Sequence, residues 1–477
     1  MINEYAVLAL ISAGGICLAW LLGVRNIWLS IPVGLMLDVV IRILVFSTLN
    51  MIHQRWLAGF VFFGVMGLSL LAAAWKARGG VYKNVLLGVA FAILAVTSTR
   101  VIGIKPVEHG DSLWILSFTR LFDMNGDIAA LDGHTAIKRG FAYPLLLSLG
   151  PNREYLSGMT PYIFAALACL VFWLSRELLR GQQKGRTIVA VGLGILLYVS
   201  AVMPMRAIFY VNGHTLTAVG MLAVAAVSVL AVRDQKIAQG HILLACLGAF
   251  TAATSRIEGI ALVALVALPL LSQRFISRWQ IVAVISSATF GLSIWLATYH
   301  SYIINATHLP WFVFMLILVG GGMLPALKIF DWFRFRVLPI ALISMVVVFV
   351  AAQVLFASSL KKGNISLVSN LIIGDGRWGG LLGAFVIAIL LGRLKDLTPE
   401  HKTLLWLTAA LILGSLITKM LDGGQFGHPT LGRVGWSDSL NRMWWQSYAI
   451  FIVTALVGLL QHDRLWGVKE GSEAKTK

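Results

Sequence analysis

The sequence predicts an all-α polytopic membrane protein, and three observations support this fold class. Hydrophobic residues occupy 58% of the 477 positions and charged residues only 12%, whereas about 25% of the residues of a soluble domain are charged. The mean hydropathy is +0.85. Apolar stretches of about 20 residues, the length that crosses the hydrocarbon layer, recur along the whole chain. These observations exclude a soluble globular protein.

The apolar stretches predict about fifteen transmembrane helices. The first six lie near residues 5–24, 28–48, 56–75, 84–100, 160–179 and 187–203. The other nine lie near residues 214–232, 241–254, 257–272, 279–298, 311–327, 337–356, 377–392, 403–420 and 443–461. We expect the first stretch to be retained as a span, because it is long enough to cross the membrane and no basic segment of a signal peptide precedes it.

Basic residues in alternate connections predict the orientation. They cluster at 76–83, 176–186, 233–236 and 274–278, and again in the tail 464–477. Connections rich in Lys and Arg lie in the cytoplasm. The N-terminus is therefore expected outside and the C-terminus inside, which an odd number of spans satisfies. We expect a bacterial inner membrane protein whose net charge of +18 reflects topology and not nucleic-acid binding.

The connection from Arg100 to Thr160 is a large outer loop that begins with two acids, Glu108 and Asp111. Because a predicted span ends just before them, their carboxylates should lie near the outer headgroups. One could deprotonate an acceptor hydroxyl while the other orients it or holds a divalent cation. Ordinary solvated loop acids are the alternative. The apolar pattern of 112–122 predicts a helix lying in the membrane interface.

Cations on the predicted outer side are candidate ligands for an anionic substrate. His134, Lys138 and Arg139 precede the short apolar segment 140–149, which contains Tyr143. Cations that precede a helix of this kind can hold a phosphate group. The alternative is contact with lipid headgroups by long basic side chains.

Five further residues are candidates for substrate binding. Arg206 and His214 flank the connection between the sixth and seventh predicted spans, so both should face one outer vestibule, although an isolated His is more often a packing residue. Arg256 and Glu258 interrupt apolar sequence, where each ionised group costs about 2.5–3.5 kcal/mol, so they form either a mutual structural tie or a contact with phosphate or sugar. Arg442 lies at the start of the last span, where a cation opposes the helix dipole.

Other polar and sulfur-containing residues within the spans are expected to be structural. Asp38 and Arg42 are four residues apart on one helical face and are predicted to form an internal ion pair. Cys17, Cys169 and Cys246 lie within apolar runs and are predicted to pack as small residues without disulfides.

Several of these segments together resemble the GT-C superfamily of integral membrane glycosyltransferases, which includes protein mannosyltransferases and the aminoarabinose transferase of lipid A. They are the acid at the start of a large first outer loop, the interfacial helix, Gly-Phe-Ala-Tyr-Pro-Leu-Leu-Leu at 140–147, Arg-Ile-Glu-Gly-Ile-Ala-Leu at 256–262 and Asp-Ser-Leu-Asn-Arg at 438–442. The resemblance covers roughly residues 84–298, and a weaker similarity is found at 436–445. It implies additional helices at 1–83, a GT-C-like catalytic core at 84–298 and C-terminal membrane helices at 299–477.

The resemblance implies an inverting glycosyltransferase that moves a sugar from a polyprenyl phosphate carrier to a glycan, lipid or protein acceptor at the outer face. Asp111 matches the family's presumed base, and Glu108 is its acidic neighbour. Three spans precede the one that comes first in the family, and the Glu-x-x-Asp spacing weakens a bidentate metal site. We therefore expect no cofactor and no required metal, although Glu108 and Asp111 could hold a divalent cation. The residues expected to stabilise the leaving phosphate are basic: Lys138, Arg139, Arg206 and Arg256.

Two other functions are consistent with the sequence. A surface polysaccharide polymerase or ligase would use lipid pyrophosphate donors, and a large loop late in the chain would favour it, whereas the large loop here is early. A secondary transporter should have interrupted helices in two halves and ionisable residues at mid-membrane depth. Asp38 and Arg42 are the residues predicted at that depth.

Overall fold

The computed structural model describes the greater part of the chain. The described ranges are 3–52, 54–77, 80–101, 110–123, 140–151, 155–180, 211–256, 258–298, 311–327, 336–355, 397–425 and 439–460, with a few single positions between them. Within these ranges the secondary structure is helical and contains no β-strand. The prediction of an all-α fold is confirmed for this part of the chain.

The first seven helices, α1 to α7, lie between residues 4 and 178. They are α1 (Glu4–Leu21), α2 (Ile27–Met51), α3 (Ala58–Ala77, after a 3₁₀ turn at Arg55–Leu57), α4 (Tyr82–Val101), α5 (Gly110–Asp123), α6 (Ala142–Leu147) and α7 (Met159–Leu178). The remaining helices are α8 (His214–Asp234), α9 (Gln239–Ser255), α10 (Glu258–Leu271), α11 (Arg278–Thr298), α12 (Trp311–Met323, followed by a 3₁₀ turn at Leu324–Ala326), α13 (Val337–Leu355), α14 (Pro399–Gln425) and α15 (Ser439–Leu460).

Apart from α5 and α6, which the sequence did not predict as spans, these helices coincide with predicted spans. The predicted spans 187–203 and 377–392 lie outside the continuously described residues. Among the described residues, six helices are long and apolar enough to cross a membrane, namely Glu4–Leu21, Ile27–Met51, Ala58–Lys76, Tyr82–Val101, Met159–Leu178 and His214–Asp234. The total of fifteen spans stays a prediction.

The chain forms two compact units. Unit 1 consists of Met1–Leu170 and Arg206–Ala341, and unit 2 consists of Val171–Met205 and Leu342–Lys477. In unit 2, α14 packs against α15, and the hydroxyls of Thr408 and Thr454 form a buried hydrogen bond of 2.9 Å between them.

Unit 1 joins the first helices to the predicted catalytic core. α1 packs against α2, α3 and α4, and α2 packs against α9. The helices of the predicted segment 1–83 therefore contact the helices of 84–298 directly. The division into 1–83, 84–298 and 299–477 stays a prediction.

Small residues bring α8, α9 and α10 close together. Gly220 of α8 faces Gly248 of α9, and a Cβ on Gly220 would overlap the Gly248 carbonyl. Gly259, at the start of α10, lies against the Ala252 carbonyl of α9 in the same way. Close backbone approach through small residues is typical of helices that pack in membranes. It holds the connection between α9 and α10, which contains Arg256, as a tight turn.

The predicted ion pair between Asp38 and Arg42 is wrong. Arg42 instead donates hydrogen bonds to the Leu145 carbonyl (3.4 Å) and to the Ser148 hydroxyl (3.1 Å) at the end of α6. Neither carboxyl oxygen of Asp38 has a hydrogen-bond partner within the described residues. The end of a short helix carries unsatisfied carbonyls and negative partial charge, so it competes successfully for the guanidinium.

The three cysteines are free, as predicted. Cys17 is buried in a cluster with Trp20, Ala73 and Val81, where it packs as a small apolar residue. Cys169 is also buried.

Candidate functional site

Hydrogen bonds link several helix ends of unit 1 into one continuous polar region. Tyr143 of α6 bonds to Thr160 at the start of α7, and the Phe141 amide donates to the Thr254 carbonyl at the end of α9 (3.1 Å). Beyond that contact, Arg256 reaches Asn212, just before α8. We call this region the polar end, defined as Glu4, Tyr143, Thr160, Asn212, His214, Arg256 and Glu258.

The opposite ends of these helices carry basic residues. Arg25 follows α1 and stacks its guanidinium on the Trp20 ring, 3.6 Å from the centroid. Asn84, at the start of α4, donates to the Arg25 carbonyl at 3.3 Å. Lys76 and Lys83 lie at the adjoining ends of α3 and α4. In α1, α3 and α4 the basic ends thus lie together, and which end of these helices faces outward stays a prediction.

Gly140 seats the segment before α6 against the end of α9. Its backbone angle φ is +72°, which residues other than glycine rarely adopt. A Cβ at this position would overlap the Ser255 carbonyl. The adjacent amide of Phe141 completes the contact by its hydrogen bond to Thr254. The apolar segment that the sequence singled out is therefore fixed beside Arg256.

Arg256 is the buried cation of the polar end. It has an extended backbone between α9 and α10, and its side chain is only 6% exposed. Its Nε donates to Oε1 of Glu258, and one terminal nitrogen donates to Oδ1 of Asn212 at 3.3 Å. The pairing agrees with the structural interpretation of these two residues. A role in substrate binding stays a prediction.

Asn212 was missed by the sequence interpretation. Its Oδ1 also accepts a hydrogen bond from the His214 amide at 3.1 Å, so it joins Arg256 to the first residue of α8. Its Nδ2 is a buried donor without a hydrogen-bond partner in the described part of the chain. A buried donor without a partner costs about 1–3 kcal/mol and is often explained by a ligand or water. The Asn-Gly-His turn before an apolar helix was the available signal.

His214 and Tyr143 are both buried in the polar end. His214 is the first residue of α8 and is buried. Burial raises the pKa of the Tyr143 phenol, and its hydrogen bond with Thr160 acts in the opposite direction. Tyr143 is therefore a neutral group that anchors α6 to α7. The predicted contact of both residues with substrate stays a prediction.

Asp111 lies in the first turn of α5, a helix that packs beside the polar end. Ile115, Phe118 and Phe122 form its buried face, whereas Trp114 and Arg120 are exposed. Phe122 contacts Phe141, with ring centroids 6.5 Å apart. The predicted amphipathic helix over 112–122 is confirmed, and its location at a membrane surface stays a prediction.

The remaining predicted site residues lie outside the described part of the chain. These are Glu108, His134, Lys138, Arg139 and Arg206. Arg442 lies in the first turn of α15, in unit 2, and only its backbone is described. Their predicted roles are untested.

The described residues contain no group of three His, Cys, Asp or Glu side chains that could hold a metal ion. The side chains of Glu108 and Asp111 are not among the described parts of the chain. A divalent cation between them stays the prediction made from the sequence.

Glu4 is a second residue that the sequence interpretation missed. Its Oε1 accepts hydrogen bonds from the Ser157 hydroxyl (2.7 Å) and the Gly158 amide (2.8 Å), and its Oε2 lies 3.4 Å from Arg100. The carboxylate thus ties the start of α1 to the start of α7 and the end of α4. An acid in the first turn of the first helix was the available signal.

We expect Glu4→Ala to lower the free energy of unfolding by about 1–3 kcal/mol, because the buried Gly158 amide loses its acceptor. The measurement is the thermal denaturation midpoint of the purified protein in nanodiscs. Arg100→Ala is the matched control: Arg100 is 52% exposed, so its loss should cost only about 0.2–1 kcal/mol. Equal losses for the two variants would show that the ion pair, and not the amide contact, is what stabilises this end.

The helical fold and the long apolar helices place the protein in the class of α-helical membrane proteins. Comparisons with protein-family models, with curated proteins and with solved structures found no match. The residues of the polar end and α5 are therefore the basis for assigning a function.

Proposed function

We propose that the protein is an inverting membrane glycosyltransferase. It takes a sugar from a polyprenyl phosphate carrier and transfers it to a glycan, lipid or protein acceptor at the periplasmic face of a bacterial inner membrane. The observation that carries the proposal is that 140–147, 211–214, Arg256 and Glu258 meet at the polar end, next to α5, whose first turn contains Asp111. Of the segments that resemble the GT-C superfamily, α5, 140–147 and the start of 256–262 are thus neighbours in the fold.

Asp111 is the proposed base in this reaction. It removes the proton from the acceptor hydroxyl, the hydroxyl oxygen bonds to the anomeric carbon, and the bond from that carbon to the phosphate oxygen breaks. Glu108 orients the acceptor hydroxyl. The polyprenyl phosphate leaves with the electron pair of the broken bond, and the anomeric centre is inverted because the hydroxyl attacks the face opposite the phosphate.

The leaving phosphate needs positive charge and hydrogen-bond donors at the moment of departure. The buried Arg256 and the Nδ2 donor of Asn212 are adjacent and suit this role. Lys138, Arg139, Arg206, His134, His214 and Arg442 remain proposed ligands of the donor or acceptor. Membrane lipids are the expected surroundings, and no nucleic acid is expected as a partner.

The test is release of polyprenyl phosphate from a panel of polyprenyl-phosphate sugars by the purified full chain in lipid nanodiscs. Release from one donor supports the transferase and identifies its sugar. Consumption of lipid pyrophosphate donors alone would replace the proposal by a polymerase or ligase. Silence with both kinds of donor would favour a transporter.

Exchanging the Arg256 and Glu258 charges for neutral amides should separate a phosphate ligand from a structural tie. Arg256→Gln alone removes the guanidinium that pairs with Glu258, so both stability and donor turnover should fall. The double variant with Glu258→Gln removes both charges of the pair, so stability should largely return. We expect turnover to stay at least about tenfold reduced, measured as polyprenyl phosphate release. Full recovery of turnover would reduce Arg256 to a structural role.

The orientation can be tested at the large loop. A cysteine at Asp127, in a background lacking Cys17, Cys169 and Cys246, should react from outside with a membrane-impermeant maleimide in intact cells. A cysteine at Lys184, in a predicted cytoplasmic connection, is the control and should react only after permeabilisation. The reverse pattern would place the proposed active site in the cytoplasm and contradict the orientation.

A further inference from the structure

Asp38 is a fully buried carboxyl group near the middle of α2. It has 0% exposure, and both of its oxygens lack a hydrogen-bond partner within the described residues. α1 lies directly against it, because a Cβ on Gly15 would lie 2.6 Å from Oδ2 and 2.8 Å from Oδ1. Asp38 thus lies in the close contact that Gly15 and Gly34 make between α1 and α2.

The charged and titratable groups around Asp38 are engaged elsewhere. Tyr162 of α7 interacts with it electrostatically, but the Tyr162 hydroxyl donates to Ser12 of α1 at 2.8 Å. Arg42, one turn along α2, holds the Leu145 carbonyl and the Ser148 hydroxyl.

The other helices that pack against α2 carry their titratable groups at other places. In α1 and α6, Cys17 packs in its apolar cluster, Glu4 pairs with Arg100, and Tyr143 bonds to Thr160. In α3 and α4, Lys76, Tyr82 and Lys83 are exposed. In α9, His241 interacts with Asp234 and Cys246 bonds to Ser287, while Arg256 beyond its end pairs with Glu258.

An ionised carboxylate in this position would be very unfavourable. No described residue donates to it or neutralises it, so burial of the anion costs several kcal/mol even after relaxation, and a group in such surroundings takes up a proton instead. Ionisable residues are retained inside membrane helices mainly where they act on protons, ions or substrates. Because no described residue donates to the Asp38 oxygens, a proton is the species that we expect the carboxyl group to bind.

We propose that Asp38 is a proton-binding site inside the helix bundle of unit 1, occupied by a proton in the described conformation. Release of this proton creates a carboxylate that Arg42, four residues along the same helix, can neutralise. Arg42 would then leave the end of α6, so proton release and the anchoring of α6 compete for one guanidinium. The inference is independent of glycosyl transfer.

The test is the infrared difference spectrum between the wild-type full chain and Asp38→Asn, both in nanodiscs at neutral pH. The wild type should contain a C=O stretching band of a protonated carboxylic acid that the variant lacks completely. Glu4→Gln is the matched control and should leave that band unchanged, because Glu4 is paired with Arg100. Absence of the band from the wild type would overturn the proposal.

If Asp38→Asn fails to fold, labelling of the wild type decides. A hydrophobic carbodiimide adds the O–H of a protonated carboxylic acid across a C=N bond, and the adduct rearranges to a stable acylurea that mass spectrometry detects. We expect an adduct on the peptide containing Asp38 whose yield falls several-fold as the pH is raised. No adduct at acidic pH, or an adduct suppressed by sodium chloride at constant pH and ionic strength, would overturn the proton site; the latter would indicate a cation site.

Discussion

Asp111→Asn is expected to reduce release of polyprenyl phosphate by a factor of about 10²–10⁴, the usual contribution of a general base. The amide keeps the size and shape of the side chain but cannot accept the proton of the acceptor hydroxyl. The measurement is the initial rate of release in nanodiscs with the donor sugar identified from the panel. Binding of the donor should change little, because the proposed phosphate ligands are other residues.

The matched control for Asp111→Asn is Asp123→Asn at the other end of the same helix. This variant removes an acid from α5 without touching the first turn, so its rate should stay within a factor of about 2 of the wild type, corresponding to at most about 0.4 kcal/mol. A similar loss in both variants would show that the charge of α5, and not a base at its start, matters. An unchanged rate in Asp111→Asn would remove Asp111 from the mechanism.

Gly140→Ala is expected to reduce donor turnover by about 100-fold, because a displacement of about 1 Å at a reacting site can have an effect of this size. The added Cβ meets the Ser255 and Thr254 carbonyls, so 140–147 must move away from the end of α9 and from Arg256. The measurement combines the rate of polyprenyl phosphate release with the thermal denaturation midpoint.

Gly23→Ala separates this displacement from backbone strain. Gly23 also has a positive φ, +94°, but open space surrounds the position of its Cβ, and it lies at the opposite end of unit 1. Both variants incur the strain of a left-handed residue, about 1–2 kcal/mol. Turnover should fall in Gly140→Ala alone. Equal turnover in the two variants would mean that the seat of α6 on α9 has no part in activity.

The helices were predictable because their signal is local. A stretch of about 20 apolar residues must cross the hydrocarbon layer as a helix wherever it occurs, so the described helices begin and end close to the predicted residues. Arg256 and Glu258 were found for a similar reason, since two charges within apolar sequence require a partner. Their mutual ion pair was one of the two alternatives that this argument left open.

The tertiary contacts were less predictable. The spacing of Asp38 and Arg42 permits an ion pair, but the carbonyl that Arg42 binds belongs to Leu145, 103 residues away in sequence. No local pattern reveals that competitor. Asn212 and Glu4 were missed because a single Asn before a helix, or a single Glu at its start, is ordinarily a simple cap. Their significance comes from the helices that fold against them.

The short helix α6 has a consequence for the order in which the protein is assembled during synthesis. Its start needs the Thr254 carbonyl of α9, and its end needs Arg42 of α2. Backbone groups that lack partners cannot stay in the hydrocarbon layer. Ribosome-bound chains that stop before residue 250 should therefore leave a cysteine at Leu149 reactive to water-soluble reagents, whereas chains extended past α11 should protect it. The segment would then reach its buried position only after more than a hundred further residues have been translated.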